Sequence, residues 1–251
     1  VGVVVIYRVF SGPLASTRDQ LGPWLIAAAA ASMVLGSISA YAQKDFRRIL
    51  AFHIVSQVGY MLAGLAIGTP LAMAGGLFMT LHNMAAKTAL FYLSGIAEEG
   101  FGTGILKKMG GLRAAQPYTT GLFLASAFAL AGLPPFSGFW GKLSLLQGAL
   151  AAEQWLVLGF ALVTSVLTLV SMMKIWNEAF AKEGPAPKQA PDRGLSVPAL
   201  VLALAASLSF LAVEPAQQLC LRMARDLNDP GIMRTILAPE VQAEVSEVAR
   251  K

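Results

Sequence analysis

The sequence predicts an all-α membrane protein, a polytopic helical bundle of about seven spans, the first of them truncated and one broken in its middle. Three observations carry that expectation. Hydrophobic residues make up 56% of the 251 and charged residues only 13%, where a soluble domain has roughly a quarter charged, and mean hydropathy is +0.62. The apolar residues fall in long runs between short charged or Gly/Pro loops, and a helix crossing a bilayer needs about 20 of them. One run, 119–150, is interrupted by Ala131–Lys142, AGLPPFSGFWGK. There two adjacent prolines remove backbone donors and clash with the preceding turn.

Taken in order, the first ten residues (VGVVVIYRVF) look like the second half of a spanning helix, ended by Gly12 and Pro13. Val1 is not a natural start, so a C-terminal fragment of a longer protein is expected. The second span, 23–42, is rich in Ala and Ser and suits close helix packing. A charged loop, 43–48, leads to the third span at 49–67, and the turn Gly68-Thr69-Pro70 to the fourth at 71–97. A Gly-punctuated basic loop, 98–116, precedes the broken span. The sixth span covers 155–176, a Pro-rich hydrophilic linker 182–194, and the seventh span 195–213. These spans form one transmembrane domain, 1–214. The tail, 215–251, is expected to be part surface helix, within Ala238–Arg250, or disordered.

Net charge is +5, but the basic residues sit in loops, with no basic patch interleaved with aromatics, so orientation and not nucleic-acid binding is the first meaning of the excess. Loops after spans two, four and six hold Lys44, Arg47, Arg48, Lys107, Lys108, Arg113, Lys174, Lys182, Lys188 and Arg193, whereas the loops between hold only Arg8 and Arg18. Cytoplasmic loops carry the Lys/Arg excess. The first set is therefore expected inside and the end of the last span outside, in a multi-pass protein of the cell (inner or plasma) membrane. Cys220 is the one cysteine, and His53 and His82 lie far apart, so neither a metal site nor a cofactor is expected.

Few residues remain to carry chemistry. Lys142 follows the break closely. Broken backbone at membrane depth is tolerated only where it is buried in protein or lines a wet cavity, and a discontinuous helix beside a charge is a recurring ion-site construction. A lysine at the bilayer centre costs about 2.5–3.5 kcal/mol on insertion scales, and desolvation disfavours its charged form, which suits it to hold and release a proton. The alternative is a lysine snorkelling to the interface. Lys87 lies mid-span, with Thr80, Asn83 and Ser94 on the same helix face and Glu98 extending that face. This stripe reads either as an ion path facing the bundle interior or as an interhelical hydrogen-bond seam. His82 lies about 140° round the helix from Lys87 and is a relay candidate. His53, beside Ser56, Gln57 and Tyr60, reads as a capping or access-path residue or as a relay member, and Asn83 and Ser137 are access-path candidates.

Three blocks carry a resemblance. Gln43–Tyr60 (QKDFRRILAFHIVSQVGY), Leu81–Phe91 (LHNMAAKTALF) and Leu130–Lys142 (LAGLPPFSGFWGK), in that order, resemble the antiporter-like subunits. That family includes the proton-pumping membrane subunits of respiratory complex I, membrane-bound hydrogenase relatives and the Mrp monovalent-cation/proton antiporters. Ser171–Phe180 is most similar to the D-type member of the Mrp group. The resemblance implies the C-terminal half of a fourteen-helix fold, with two inverted five-helix repeats and one broken helix in each. It implies that Lys87 and Lys142 match the family's intramembrane lysines, with His82 as the nearby histidine, and that these three pass protons along the bilayer middle. The expected partners are the other subunits of a multisubunit antiporter, membrane lipids, protons and a monovalent cation, taken to be Na+. The family's first-repeat charges lie outside this sequence, so a complete proton path is not expected within it. A complex I or hydrogenase subunit is the alternative, and a non-transporting scaffold the third reading.

Overall fold

A computed structural model describes residues 2–12, 14–184, 187, 193–208 and 212–229. Ten α-helices follow one another: α1 (Gly2–Ser11), α2 (Ala15–Ala42), α3 (Phe46–Ile67), α4 (Pro70–Phe101), α5 (Leu112–Ala115), α6 (Pro117–Ala131), α7 (Ser137–Ala151), α8 (Trp155–Ile175), α9 (Arg193–Leu208) and α10 (Val213–Asn228). Among the described residues the one extended pairing is the isolated Asp45–Ile105 bridge. Gln20–Ala42, Phe46–Ile67 and Trp155–Ala181 are long and apolar enough to cross a membrane. At 32 residues, α4 is about 48 Å long, long enough to cross, but it carries the polar stripe. The broken run is two helices of 15 residues each, and neither alone reaches the length a span needs.

Local chemistry sets the boundaries. Asp45 caps α3 by accepting from Arg48 N at 3.1 Å, and Thr69 caps α4 by accepting from Ala72 N at 3.3 Å, with Pro70 at the first helical position. Side-chain oxygens at these positions satisfy the orphan N–H groups of a helix start, and proline there lacks a donor that would have no partner. Helix α6 stops at Gly132, whose φ of +82° is left-handed, a common helix ending that suits glycine. The cis peptide Pro134–Pro135 follows, and α7 restarts at Ser137. Helix α4 runs past the expected end of the fourth span and takes in Glu98 and Glu99. Helix α8 relaxes into a π-helical turn, Trp176–Ala181.

Helix α4 is the hub, in contact with α3, α6, α7, α9 and α10. Small residues let it approach α7: a Cβ on Gly148 would meet the backbone of Ala72, and one on Gly75 the backbone of Leu145, the kind of contact that membrane helices favour. The basic loops gather at one end of the bundle. Phe46 N donates to Gly104 O at 3.0 Å and Gly111 N to Lys182 O at 2.7 Å. Lys174 Nζ donates to the carbonyls of Tyr41 and Gln43, both at 2.6 Å, holding the end of α2 against the end of α8. Beneath them Phe123, Phe180 and Trp176 stack in one row, and Phe46 meets Phe123 edge to face.

At the other end lies α10. Cys220 and Ala224 are buried beneath it, Gln217 Nε2 donates to Ser144 Oγ of α7 at 3.0 Å, and Asn228 Nδ2 donates to Gly68 O at 3.2 Å. Arg18 Nη1 completes the corner by donating to Asn228 Oδ1 at 2.9 Å. The helix expected within 238–250 lies outside the described residues.

Candidate functional site

The site lies where α3, α4, α6 and α7 meet. The stripe on α4 turns inward. Lys87 is 7% exposed, and its Nζ has no hydrogen-bond partner among the described residues. Asn83 spends its amide N–H on Met79 O, at 2.7 Å, which leaves its Oδ1 without a partner. Thr80 bonds its own helix at Gly76 O, as does Ser94 at Phe91 O. At the basic end, Glu98 pairs with Arg47 at 2.8 Å.

Lys142 is 4% exposed and reaches back across the break. Its Nζ donates to Ala131 O at 2.7 Å and to Leu130 O at 3.3 Å. The last carbonyls of a helix have no intrahelical partner and carry the negative end of its dipole, so the ammonium of α7 is held by the cut end of α6. The Tyr60 ring lies 5.2 Å from the same nitrogen, within cation–π range. Tyr60 in turn donates its OH to Ala161 O at 2.5 Å and meets Ser165 Oγ at 2.9 Å. The ring under Lys142 is thus anchored on α8.

His82 turns toward the break. Its Nδ1 lies 2.8 Å from Ser137 Oγ, and Ser137 Oγ donates to Ala206 O of α9 at 2.7 Å. A hydroxyl has one proton to give. Because that proton goes to Ala206, Ser137 accepts from His82, so Nδ1 carries the hydrogen and Nε2 is the bare acceptor of the neutral ring. Nε2 has no partner among the described residues. Both nitrogens of His53 are likewise buried without partners. Lys87, Lys142, His82 and His53 are thus four buried ionisable side chains on three neighbouring helices, α3, α4 and α7.

Of the residues singled out in the sequence, Lys87, Lys142, His82, His53, Asn83 and Ser137 are all buried. Ser137 touches His82 directly, and Asn83 bonds its own backbone. Gln57, Ser126 and Thr164 were not singled out there as site residues. All three are buried with unpartnered side-chain atoms, on α3, α6 and α8. A signal was present for two of them: Gln57 is one turn after His53, and Thr164, Thr168 and Ser171 recur at helical spacing.

Fold and site together define a helical membrane protein with two buried lysines, one of them beside a helix break. Residues 1–168 match the family described as NADH:quinone oxidoreductase/Mrp antiporter, transmembrane, and the chain belongs to that family. Among curated relatives it is 37% identical over 235 residues to the D subunit of the Na(+)/H(+) antiporter of Alkalihalophilus pseudofirmus, covering 92% of this chain and 48% of that protein. It is 35% identical over 199 residues to the N subunit of the NADH-quinone oxidoreductase of Desulforudis audaxviator, covering 77% and 39%. The chain therefore spans about half the length of the curated relatives it matches. Among solved structures, a chain of the Mrp complex from Dietzia superposes with a TM-score of 0.89 at 30% identity, over 94% of this chain and 53% of that one. A chain of respiratory complex I from Thermus thermophilus gives 0.74 at 26%, over 84% and 46%.

Proposed function

We propose that this chain supplies proton-translocating helices to the D-type member of a multisubunit monovalent-cation/proton antiporter, with Na+ as the exchanged cation. The carrying observation is the pair of buried lysines, one of them bound to the carbonyls of a broken helix. Protonated, Lys142 caps α6 with a full charge. Neutral, it loses the charge-assisted part of those bonds, so its proton state is coupled to the hold between α6 and α7. His82 offers Nε2 as a proton acceptor, and Lys87 offers an amine with no protein partner. Buried polar atoms without protein partners call for water, and the bare atoms of His53, Gln57, Asn83, Ser126 and Thr164 mark where that water stands. His53, Asn83 and Ser137 line the access path, Ser137 by orienting the imidazole.

The basic loops face the cytoplasm and the end of the last span faces outward, as the Lys/Arg distribution requires. The protein works in the cell (inner or plasma) membrane together with other antiporter subunits, and acts as a transporter part and not as an enzyme. The test is Lys142→Ala in the full-length complex, read as collapse of a preformed ΔpH in everted vesicles on adding Na+. Exchange is expected to fall at least tenfold at equal protein level, and undiminished exchange ends this role for Lys142. The similarity to an N-type oxidoreductase subunit supports a second reading, a proton pump powered by electron transfer. That reading requires redox subunits to co-purify, whereas antiport requires ΔpH collapse with no electron donor present.

A further inference from the structure

Between α3 and α4 runs a groove of about 640 Å³ lined by Arg47, Thr88, Phe91, Tyr92, Gly95 and Glu99. The α4 residues recur at intervals of three and four, so they share one helix face. Eleven residues separate Thr88 from Glu99, a rise of about 16 Å, which takes the groove from the basic end of the bundle well into the apolar layer. Its head is charged and its length is apolar and aromatic.

The charges at the head are of both signs. Arg47 Nε forms an ion pair with Glu98 Oε2 at 2.8 Å and its side chain is 53% exposed, so its terminal amino groups can reach a second acceptor. Glu99 is exposed. Guanidinium is the side chain best matched to phosphate. A lipid bearing only negative charge would set that charge against the carboxylates of Glu98 and Glu99. A choline headgroup has no N–H to give to Glu99. A phosphate joined to a primary ammonium satisfies both ends.

We propose that this groove binds one phospholipid of the phosphatidylethanolamine type. Its phosphate lies on Arg47, its ammonium on Glu99, and one acyl chain runs past Gly95 and the aromatic pair to Thr88. Neither Lys87 nor Lys142 lines the groove, and lipid binding there does not depend on which ion the protein moves.

Native mass spectrometry of the full-length complex, purified in mild detergent, reads this directly. The unaltered complex retains one more phosphatidylethanolamine per copy of this chain than either Arg47→Gln or Glu99→Gln. Thr88→Phe fills the far end of the groove without touching its charges and gives the same loss. After delipidation, phosphatidylethanolamine restores the melting temperature of the unaltered complex, whereas phosphatidylglycerol and phosphatidylcholine do not. Equal lipid counts in all variants overturn the proposal, as does equal retention of phosphatidylglycerol. Efficient cross-linking of Thr88→Cys to a neighbouring polypeptide also overturns it, because the occupant is then protein.

Discussion

Ser137 has one hydrogen to give, and its destination decides what His82 can do. Crowding at the imidazole is the direct way to test that geometry. A Cβ at Gly138 would sit 2.9 Å from His82 Nε2 and would press on Ala129 O. Gly138→Ala is therefore expected to cut exchange about tenfold, measured as ΔpH collapse normalised to membrane protein level. Gly121→Ala, where nothing lies within 4 Å, leaves exchange intact and adds up to about 1 kcal/mol of helix stability. Lys87→Met separates function from folding at a second residue. It removes a buried amine with no protein partner among the described residues, and a buried polar group without a hydrogen bond is destabilising. Its melting temperature is expected to be no lower than that of the unaltered protein, while exchange is lost. A lower melting temperature would mean that Lys87 holds the bundle together.

At the scale of elements, the break between α6 and α7 is a joint whose two halves are held by one side chain. Gly132→Ala forces a left-handed backbone on a residue with a Cβ, at about 1–2 kcal/mol, and places that Cβ 2.8 Å from Lys142 Cδ. It is expected to lower both melting temperature and exchange, whereas Lys174→Met, which uncaps α2 at the other end of the bundle, lowers the melting temperature with exchange retained. Measuring both quantities on each variant separates the joint from the clasp. The break itself was legible in the sequence, because two prolines inside an apolar run admit few structures. So were α3, α4 and α8, whose apolar runs are long, with Asp45, Thr69 and Gly102 at the ends of α3 and α4, whereas α2 begins at Ala15, within the stretch 11–22 that reads as a loop. Helix α10 was not. Its packed face, Val213, Ala216, Cys220, Leu221, Ala224 and Leu227, recurs at helical spacing, so the periodicity was present, but the charges between those positions read as a mixed tail.

Across the whole molecule the polarity of the chain is spatial as well as sequential. Three basic loops that are distant in sequence share one end, and α10 covers part of the other. Cys220, fully buried beneath α10, reports on that cover. Burial pushes its thiol up to about 11, and the thiolate is the reactive form. In the assembled complex, with any cysteine outside this chain replaced by serine, maleimide labelling is expected to be slow at pH 7. Its rate should keep rising to about pH 11, where an exposed thiol levels off near its ordinary pKa of about 8.5. Fast labelling at pH 7 would show that α10 does not stay docked. What no periodicity could reveal were the long-range pairings, since His82 and Ser137 are 55 residues apart and Ser137 and Ala206 a further 69. The backbone carbonyl of Ala206 belongs to a helix with no ionisable group among its described side chains, yet it fixes the imidazole tautomer. A version of this protein severed before Arg193 would keep every titratable partner of the cluster and still lose the reason its histidine presents one nitrogen, and not the other, to an incoming proton.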